Sequence, residues 1–274
     1  MLVGEKTDRK LSRGLGENFS RRVLIAGAIG GVTSVLSACA QTPLAASPQS
    51  SRGQQEPRPT ATPQPSATPV FDSHKNSIDD PGSIWVVVNK ARPLNPLDYV
   101  PTNLVYPNVP YVNRQPMRPE AAAGITQLFA AAQTEAGLAL AVQSAYRSFS
   151  LQTSVYEGDV AAHGQAFADA DTARPGHSEH QTGLAIDISA IPATCTLQAC
   201  FGHTPHGQWL AANAWRWGFL LRYQTQNVAI TGFTYEPWHF RYIGQELAEH
   251  LHQIGVTTLE EFFGVPGGPN YPAA

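Results

Sequence analysis

The sequence predicts an α+β domain, a small, mainly antiparallel sheet with helices packed on it. Short β-branched and aromatic runs, "LALAVQS", "LAIDIS", "FLLRY" and "HFRYI", are interspersed with helical stretches but lack the strict strand–helix–strand rhythm of a parallel sheet. The second half is rich in Trp, Tyr, Phe and Leu, enough for a core, whereas Pro is concentrated earlier in the chain. No internal repeat is visible.

Taken in order, the first 22 residues carry Lys6, Arg9, Lys10, Arg13, Arg21 and Arg22. An apolar run, "VLIAGAIGGVTSVLSA", follows from Val23 to Ala38. It is shorter than the roughly 20 residues that a membrane span needs. Basic residues, a short apolar core and small residues before a break predict a signal peptide over 1–38. "SRRVL" resembles a twin-arginine export signal, and "LSAC" resembles the lipobox of bacterial lipoproteins, which implies a lipid on Cys39. The expected location is therefore the outer side of a bacterial cytoplasmic membrane, with the lipid as the membrane contact. A plain signal peptide or a short anchor helix is the simpler alternative. Residues 39–79, mostly Pro, Ser, Thr, Gln and Ala, predict a disordered tether. The folded domain is expected over 80–265, with a tail at 266–274.

Removing residues 1–38 takes six Lys/Arg from 18 and three Asp/Glu from 21, which leaves a net charge of about −6. No basic stripe of the kind nucleic-acid binders need is present, and a monomer is expected. With Cys39 assigned to the lipid, Cys195 and Cys200 remain. In an exported chain they predict a disulfide pinning a local turn; a metal pair is the alternative.

Within the domain, "SIWVVVN" (83–89) reads as a strand, and the Pro-broken stretch after it as irregular. Residues 118–137 read as a helix, with Ile125, Leu128, Phe129 and Ala132 at helical spacing. "LALAVQSAYRS" reads as a strand, and residues 149–173 as one helix fraying at its Asp-rich end. After the strand "LAIDIS", "HGQWLAANAWRWG" reads as a helix closed by Gly218. "FLLRY" and "HFRYI" are strands, and residues 244–255 and 258–264 end the domain as helices.

The chemistry sits in two segments. In "LAIDIS" the period of two puts Leu184, Ile186 and Ile188 on one face and Asp187 on the other. A strand whose far face is simply wet would look the same. His180 lies in the turn entering this strand through Gly183. In "GFTYEPWHFRY", Glu236 and His239 are three apart, which a flat strand would put on opposite faces. Pro237 holds Glu236 extended, and a bend there would let the two side chains converge. A Pro-linked strand entry with a core histidine is the plainer alternative.

Together, His180, Asp187 and His239 offer two nitrogens and an oxygen suited to Zn²⁺. Three protein ligands leave a fourth position for water, as in catalytic rather than structural sites. Glu236 is then the natural general base, a carboxylate that a purely structural site would not need. His177 reads as either an outer partner near His180 or a surface residue. Trp209, Trp215 and Trp217 read as core rather than a sugar platform.

"SEHQTGLAID" and "EPWHFRY" match the S-x-H-x-x-G-x-A-x-D and E-x-x-H motifs of the VanY-type D-alanyl-D-alanine carboxypeptidases. That family belongs to the zinc peptidase superfamily named for lysostaphin, D-Ala-D-Ala peptidases and sonic hedgehog. The similarity runs from about Ser83 to Gly264, and "SAYRSFSLQ" resembles the family's YRS segment. The resemblance implies a hedgehog/D-Ala-D-Ala-peptidase-like fold. It makes His180, Asp187 and His239 the metal ligands, Glu236 the base and Arg147 the oxyanion stabiliser. It also places Gln152, Ser178 and Arg174 along a peptide groove that Trp238 shapes. The implied reaction is zinc-dependent removal of the terminal D-Ala from peptidoglycan stem peptides. The alternatives are an L,D-carboxypeptidase acting on tetrapeptide stems and a non-catalytic lipoprotein that binds zinc or peptide.

Overall fold

A computed structural model describes residues 71–268 and 270–272. The expected signal segment, Cys39 with its lipid, and the tether up to residue 70 lie outside the described residues.

Helix α1 (Pro119–Ala136) begins on a proline whose fixed φ suits a first helical turn, and it stops at Gly137 in the left-handed conformation. Ile125, Leu128, Phe129 and Ala132 form its buried stripe. That stripe packs with apolar residues of a four-stranded sheet made of β1 (Ala139–Ser144), β2 (Ala185–Ile191), β3 (Phe219–Tyr223) and β4 (Glu236–Tyr242). The order is β1-β2-β4-β3 and every pairing is antiparallel. Leu140 and Val142 of β1, Ile186 and Ile188 of β2, Phe219 of β3 and Phe240 of β4 share the main core with α1. Each such side chain contributes roughly 1.5–3 kcal/mol on burial, so the core face can sustain a charged opposite face.

Two irregularities shape that opposite face. The register between β1 and β2 shifts after Val142, which brings Ser144 opposite Asp187. Between β3 and β4 it shifts between the pairs Leu221↔Phe240 and Tyr223↔Glu236. Antiparallel pairing without a shift would set Tyr223 two residues further along β4, so the extra residues form a bulge around Pro237–His239. This bulge is the bend expected at Glu236–Pro237, and β4 accordingly starts at Glu236 rather than at His239.

The helical stretch expected over 149–173 is two helices, α2 (Phe149–His163) and α3 (Gln165–Asp171). Gly164 between them has φ 85°, a backbone that only glycine adopts cheaply, so the chain turns there instead of fraying. Helix α4 (Pro205–Asn213), capped by the Thr204 side chain, runs on as a 3₁₀ turn to Gly218. A short α5 (Val228–Thr231) precedes β4. The chain ends in α6 (Gln245–Ile254) and α7 (Leu259–Phe263). Cys195 and Cys200 are joined in the turn after β2, with their Cα atoms 5.6 Å apart. Trp209 and Trp217 stack at 5.9 Å and pack against the main core.

"SIWVVVN" is not a strand. It opens with a turn at Ser83–Val86 and continues as a buried segment, its side chains pointing to two clusters, Trp85 and Val87 toward α6 and α7, Val86 and Val88 toward Leu94. No neighbouring strand is needed because side chains take up its carbonyls. Arg241 donates to the oxygens of Ile84 and Val86, and Arg92 to that of Val87. Residues assigned by sequence to tether and tail also pack on the domain. Phe71 stacks on His250 at 4.2 Å, and the Tyr271 hydroxyl accepts a hydrogen bond from the Arg174 N–H at 2.8 Å.

Candidate metal centre and active-site cleft

Asp187 on β2 and His239 on β4 are direct cross-strand partners. Directly opposed residues of an antiparallel pair share a face, and their neighbours Ile186 and Phe240 take the core side. His180 lies in a 3₁₀ turn, Glu179–Thr182, that ends at Gly183 with φ 71°. The glycine lets the chain reverse into β2 within one residue. A Cβ there would also meet Leu104 at 2.9 Å.

The three side chains converge. His180 Nε2 is 3.3 Å from Asp187 Oδ2, and His239 Nδ1 is 3.2 Å from Asp187 Oδ1. All three residues are at most 5% exposed, and one donor atom from each lies within 4.8 Å of the others. Bonds of about 2.0–2.1 Å at tetrahedral angles set donors about 3.3 Å apart, and each histidine meets that spacing to one oxygen of Asp187. His180 Nδ1 lies 2.7 Å from the Ala145 carbonyl. A carbonyl only accepts, so the proton is on Nδ1 and the Nε2 lone pair faces the other two donors.

Electrostatics match this arrangement. Burial alone would raise Asp187, but His180 and His239 outweigh it and hold the carboxylate below its ordinary range. Burial lowers His180, with Asp187 opposing, so that ring is neutral. Burial also works against charge on His239, yet the contacts with Asp187 and Glu179 prevail and push it up to about 9.

Glu236 enters the same cleft from the bulge. Its Oε2 is 3.8 Å from His239 Nδ1, too long for a hydrogen bond. Burial pushes Glu236 up to about 8, with His239 opposing and Asp187 adding to the rise. Arg147, just after β1, sets Nη2 at 4.0 Å from Asp187 Oδ2. Its backbone N–H donates to the His180 carbonyl at 3.2 Å. The cleft has a volume of about 460 Å³, with Ser178, Tyr223, Phe233 and Trp238 in its walls beside Arg147 and Glu236.

The structure therefore gathers His180, Asp187, His239, Glu236, Arg147, Ser178 and Trp238 at one place. Three other expectations are corrected. Gln152 does not line the groove. It is fully buried, accepts from Arg147 Nη1 at 3.0 Å and donates to the Ala173 carbonyl, so it braces the arginine from behind. Arg174 forms a two-pronged pair with Asp169 and lies over the Tyr271 ring, which turns its guanidinium away from the cleft. His177 does not support His180; its Nδ1 is 2.8 Å from the Asn89 carbonyl and its ring meets Tyr271 edge-on.

Sequence reading passed over Glu179, which is buried beside His239. A signal was available. Arg222 and Arg241 sit inside the apolar strands "FLLRY" and "HFRYI", and a buried arginine requires a carboxylate partner.

A family model described as D-alanyl-D-alanine carboxypeptidase, VanY, matches residues 114–245. The chain is 40% identical over 192 residues to YodJ of Bacillus subtilis (strain 168), covering 68% of this chain and 69% of that protein. It resembles the solved LdcB LD-carboxypeptidase with a TM-score of 0.62 and 38% identity, over 68% of this chain and 89% of LdcB. It also resembles a glutamate-to-alanine variant of the D,D-pentapeptidase VanY from a VanB-type resistance cassette, solved with Zn(II). There the TM-score is 0.55 and the identity 32%, over 65% of this chain and 97% of the other. With the His180–Asp187–His239 cluster and Glu236 standing where the two motifs require them, this chain belongs to the VanY family of D-alanyl-D-alanine carboxypeptidases.

Proposed function

We propose that this chain is a zinc-dependent carboxypeptidase that hydrolyses the terminal D-Ala from peptidoglycan stem peptides ending in D-Ala-D-Ala. The observation that carries this reading is the buried His–Asp–His cluster with a carboxylate that is not one of its donors in the same cleft. His180, Asp187 and His239 would hold the zinc, as the Zn(II) complex of the VanY relative supports. Zinc bound there acidifies water and polarises a carbonyl oxygen. Glu236 takes the proton from the attacking water and returns it to the leaving amine of D-Ala. Its raised affinity for protons in the metal-free cleft suits a group that must both accept and release one. The Arg147 guanidinium, held by Gln152 and by Ser144 Oγ at 3.3 Å, stabilises the developing oxyanion without reorganising. Trp238 and Phe233 give the cleft apolar walls.

A second reading is an L,D-carboxypeptidase on tetrapeptide stems, favoured by the 0.62 TM-score to LdcB. The two separate when the purified full chain is incubated with pentapeptide and tetrapeptide muropeptides. Release of D-Ala from pentapeptides is expected; release from tetrapeptides alone would establish the second reading instead.

Zinc affinity should rise with pH. Below about 9 the metal-free His239 ring holds a proton that zinc must displace, whereas His180 is already neutral. Affinity is therefore expected to fall about tenfold per unit as pH drops from about 8 to 6. Chelator-competition titrations measure this, and a flat profile would show that the free ring carries no extra proton.

The "LSAC" segment supports export and lipid anchoring through Cys39. A monomer is the proposed state, in keeping with a cleft whose residues all come from one chain. Cell fractionation and size-exclusion chromatography check the two. Among the described residues no helix is long and apolar enough to cross a membrane.

A further inference from the structure

We infer that Glu179 is a positioning residue, which fixes the proton of His239 on Nε2 and so keeps the Nδ1 lone pair available to the metal. The inference rests on the zinc reading above.

His239 lies between two carboxylates. Its Nδ1 is 3.2 Å from Asp187 Oδ1 and its Nε2 is 3.1 Å from Glu179 Oε2. Zinc binds the ring in its neutral form, after the extra proton has been displaced, and a neutral imidazole has one proton and can donate to only one of them. If the proton goes to Asp187, it covers the lone pair that must meet the donors of His180 and Asp187. If it goes to Glu179, that lone pair is free. Once the extra proton is displaced, the ligand set is therefore competent only while Glu179 holds the one proton that remains on His239.

The surroundings of Glu179 favour that outcome. Its side chain is fully buried, so water does not compete for it. Oε1 accepts from Arg222 Nε at 2.8 Å and from Arg241 Nη1 at 3.2 Å. That leaves Oε2 for His239. Arg222 is fixed in turn by Glu260, at 3.0 and 3.1 Å, and Glu260 by Asn89 Nδ2 at 3.0 Å. Two arginines and two glutamates balance one another, the condition for keeping such groups charged inside a protein. Asp187, by contrast, divides its oxygens between His180 and His239 and has only Arg147, at 4.0 Å, as a cationic neighbour among the described residues.

Glu179→Gln tests this sharply. Arg222 and Arg241 only donate, so the amide oxygen must face them and the amide N–H₂ must face His239 Nε2. The amide then donates to that nitrogen and drives the ring proton to Nδ1. Zinc affinity of the full chain, measured by chelator competition at one pH, is expected to fall about 10–100-fold. Glu260→Gln disturbs Arg222 in the same buried network without touching His239. It is expected to lower the thermal midpoint while leaving zinc affinity within twofold. Glu179→Asp keeps the charge between the arginines but draws the carboxylate back from Nε2, and an intermediate loss is expected. It carries the test if the glutamine variant does not fold. Parental affinity in the Glu179 variants, or an equal loss in Glu260→Gln, would overturn the inference. D-Ala release by the parent is assayed alongside. A parent that binds zinc but releases nothing would sink the functional reading and leave the role of Glu179 standing.

Discussion

Glu236→Ala is expected to keep its zinc and to lose about 10²–10⁴-fold in D-Ala release, the range a positioned general base contributes. The geometry separates the two properties. Glu236 is not among the converging donors and approaches His239 Nδ1 only to 3.8 Å, so its removal leaves the metal ligands in place. The two carboxylates that touch the histidine cluster do not replace it. Asp187 is committed to two histidines, and Glu179 is committed to two arginines and His239. The substitution should also stabilise the metal-free protein. Burial pushes Glu236 up to about 8, so between its ordinary value and about 8 the folded chain binds a proton that the unfolded chain does not. That difference costs stability as pH rises through the window, and the cost is fully present above it. The alanine variant should therefore melt at a higher temperature than the parent, with the largest gain above about pH 8. Metal analysis, the peptide assay and thermal melts of the metal-free proteins measure these three quantities. Parental activity in Glu236→Ala would remove this residue from the mechanism.

His239→Ala is expected to lose both metal and activity. Zinc affinity should fall by more than the about 10–100-fold typical of losing an outer partner, because a direct donor is removed. D-Ala release should then be undetectable. Stability should fall too. The ring is 3% exposed and packs beside Tyr223 with centroids 4.7 Å apart. Its loss leaves a cavity and takes a hydrogen-bond partner from both Asp187 and Glu179, at a cost of about 3 kcal/mol or more. Metal content, peptide hydrolysis and the thermal midpoint of one preparation check this together. Stoichiometric zinc in the variant would show that the ion sits elsewhere.

The difference between the two variants reflects how much of the site was legible in the chain. The alternation in "LAIDIS" put Asp187 opposite its apolar neighbours, and the sheet bears this out, with Ile186 and Ile188 in the core. The proline after Glu236 marked the bend that the structure shows as a bulge. Helix α1 was equally plain, because its apolar stripe, its opening proline and its closing glycine are all local signals. "SIWVVVN" misled because a run of β-branched residues reports burial and strand propensity, not the presence of a strand to pair with. Its carbonyls meet arginine side chains instead.

Residue types and short-range periods were enough for the α+β class, the strand face that carries Asp187, the bend at Glu236 and the family resemblance. Each depends on spacings of a few residues, and strand and helix geometry converts such spacings directly into faces. Tertiary structure alone decided which polar residues are buried and what they hold. Glu179 meets Arg222 from 43 residues away, and Gln152 turns inward to brace Arg147 while Arg174 turns outward to Asp169. A buried polar group is stable only when a partner reaches it, and such partners come from segments whose proximity no local pattern encodes.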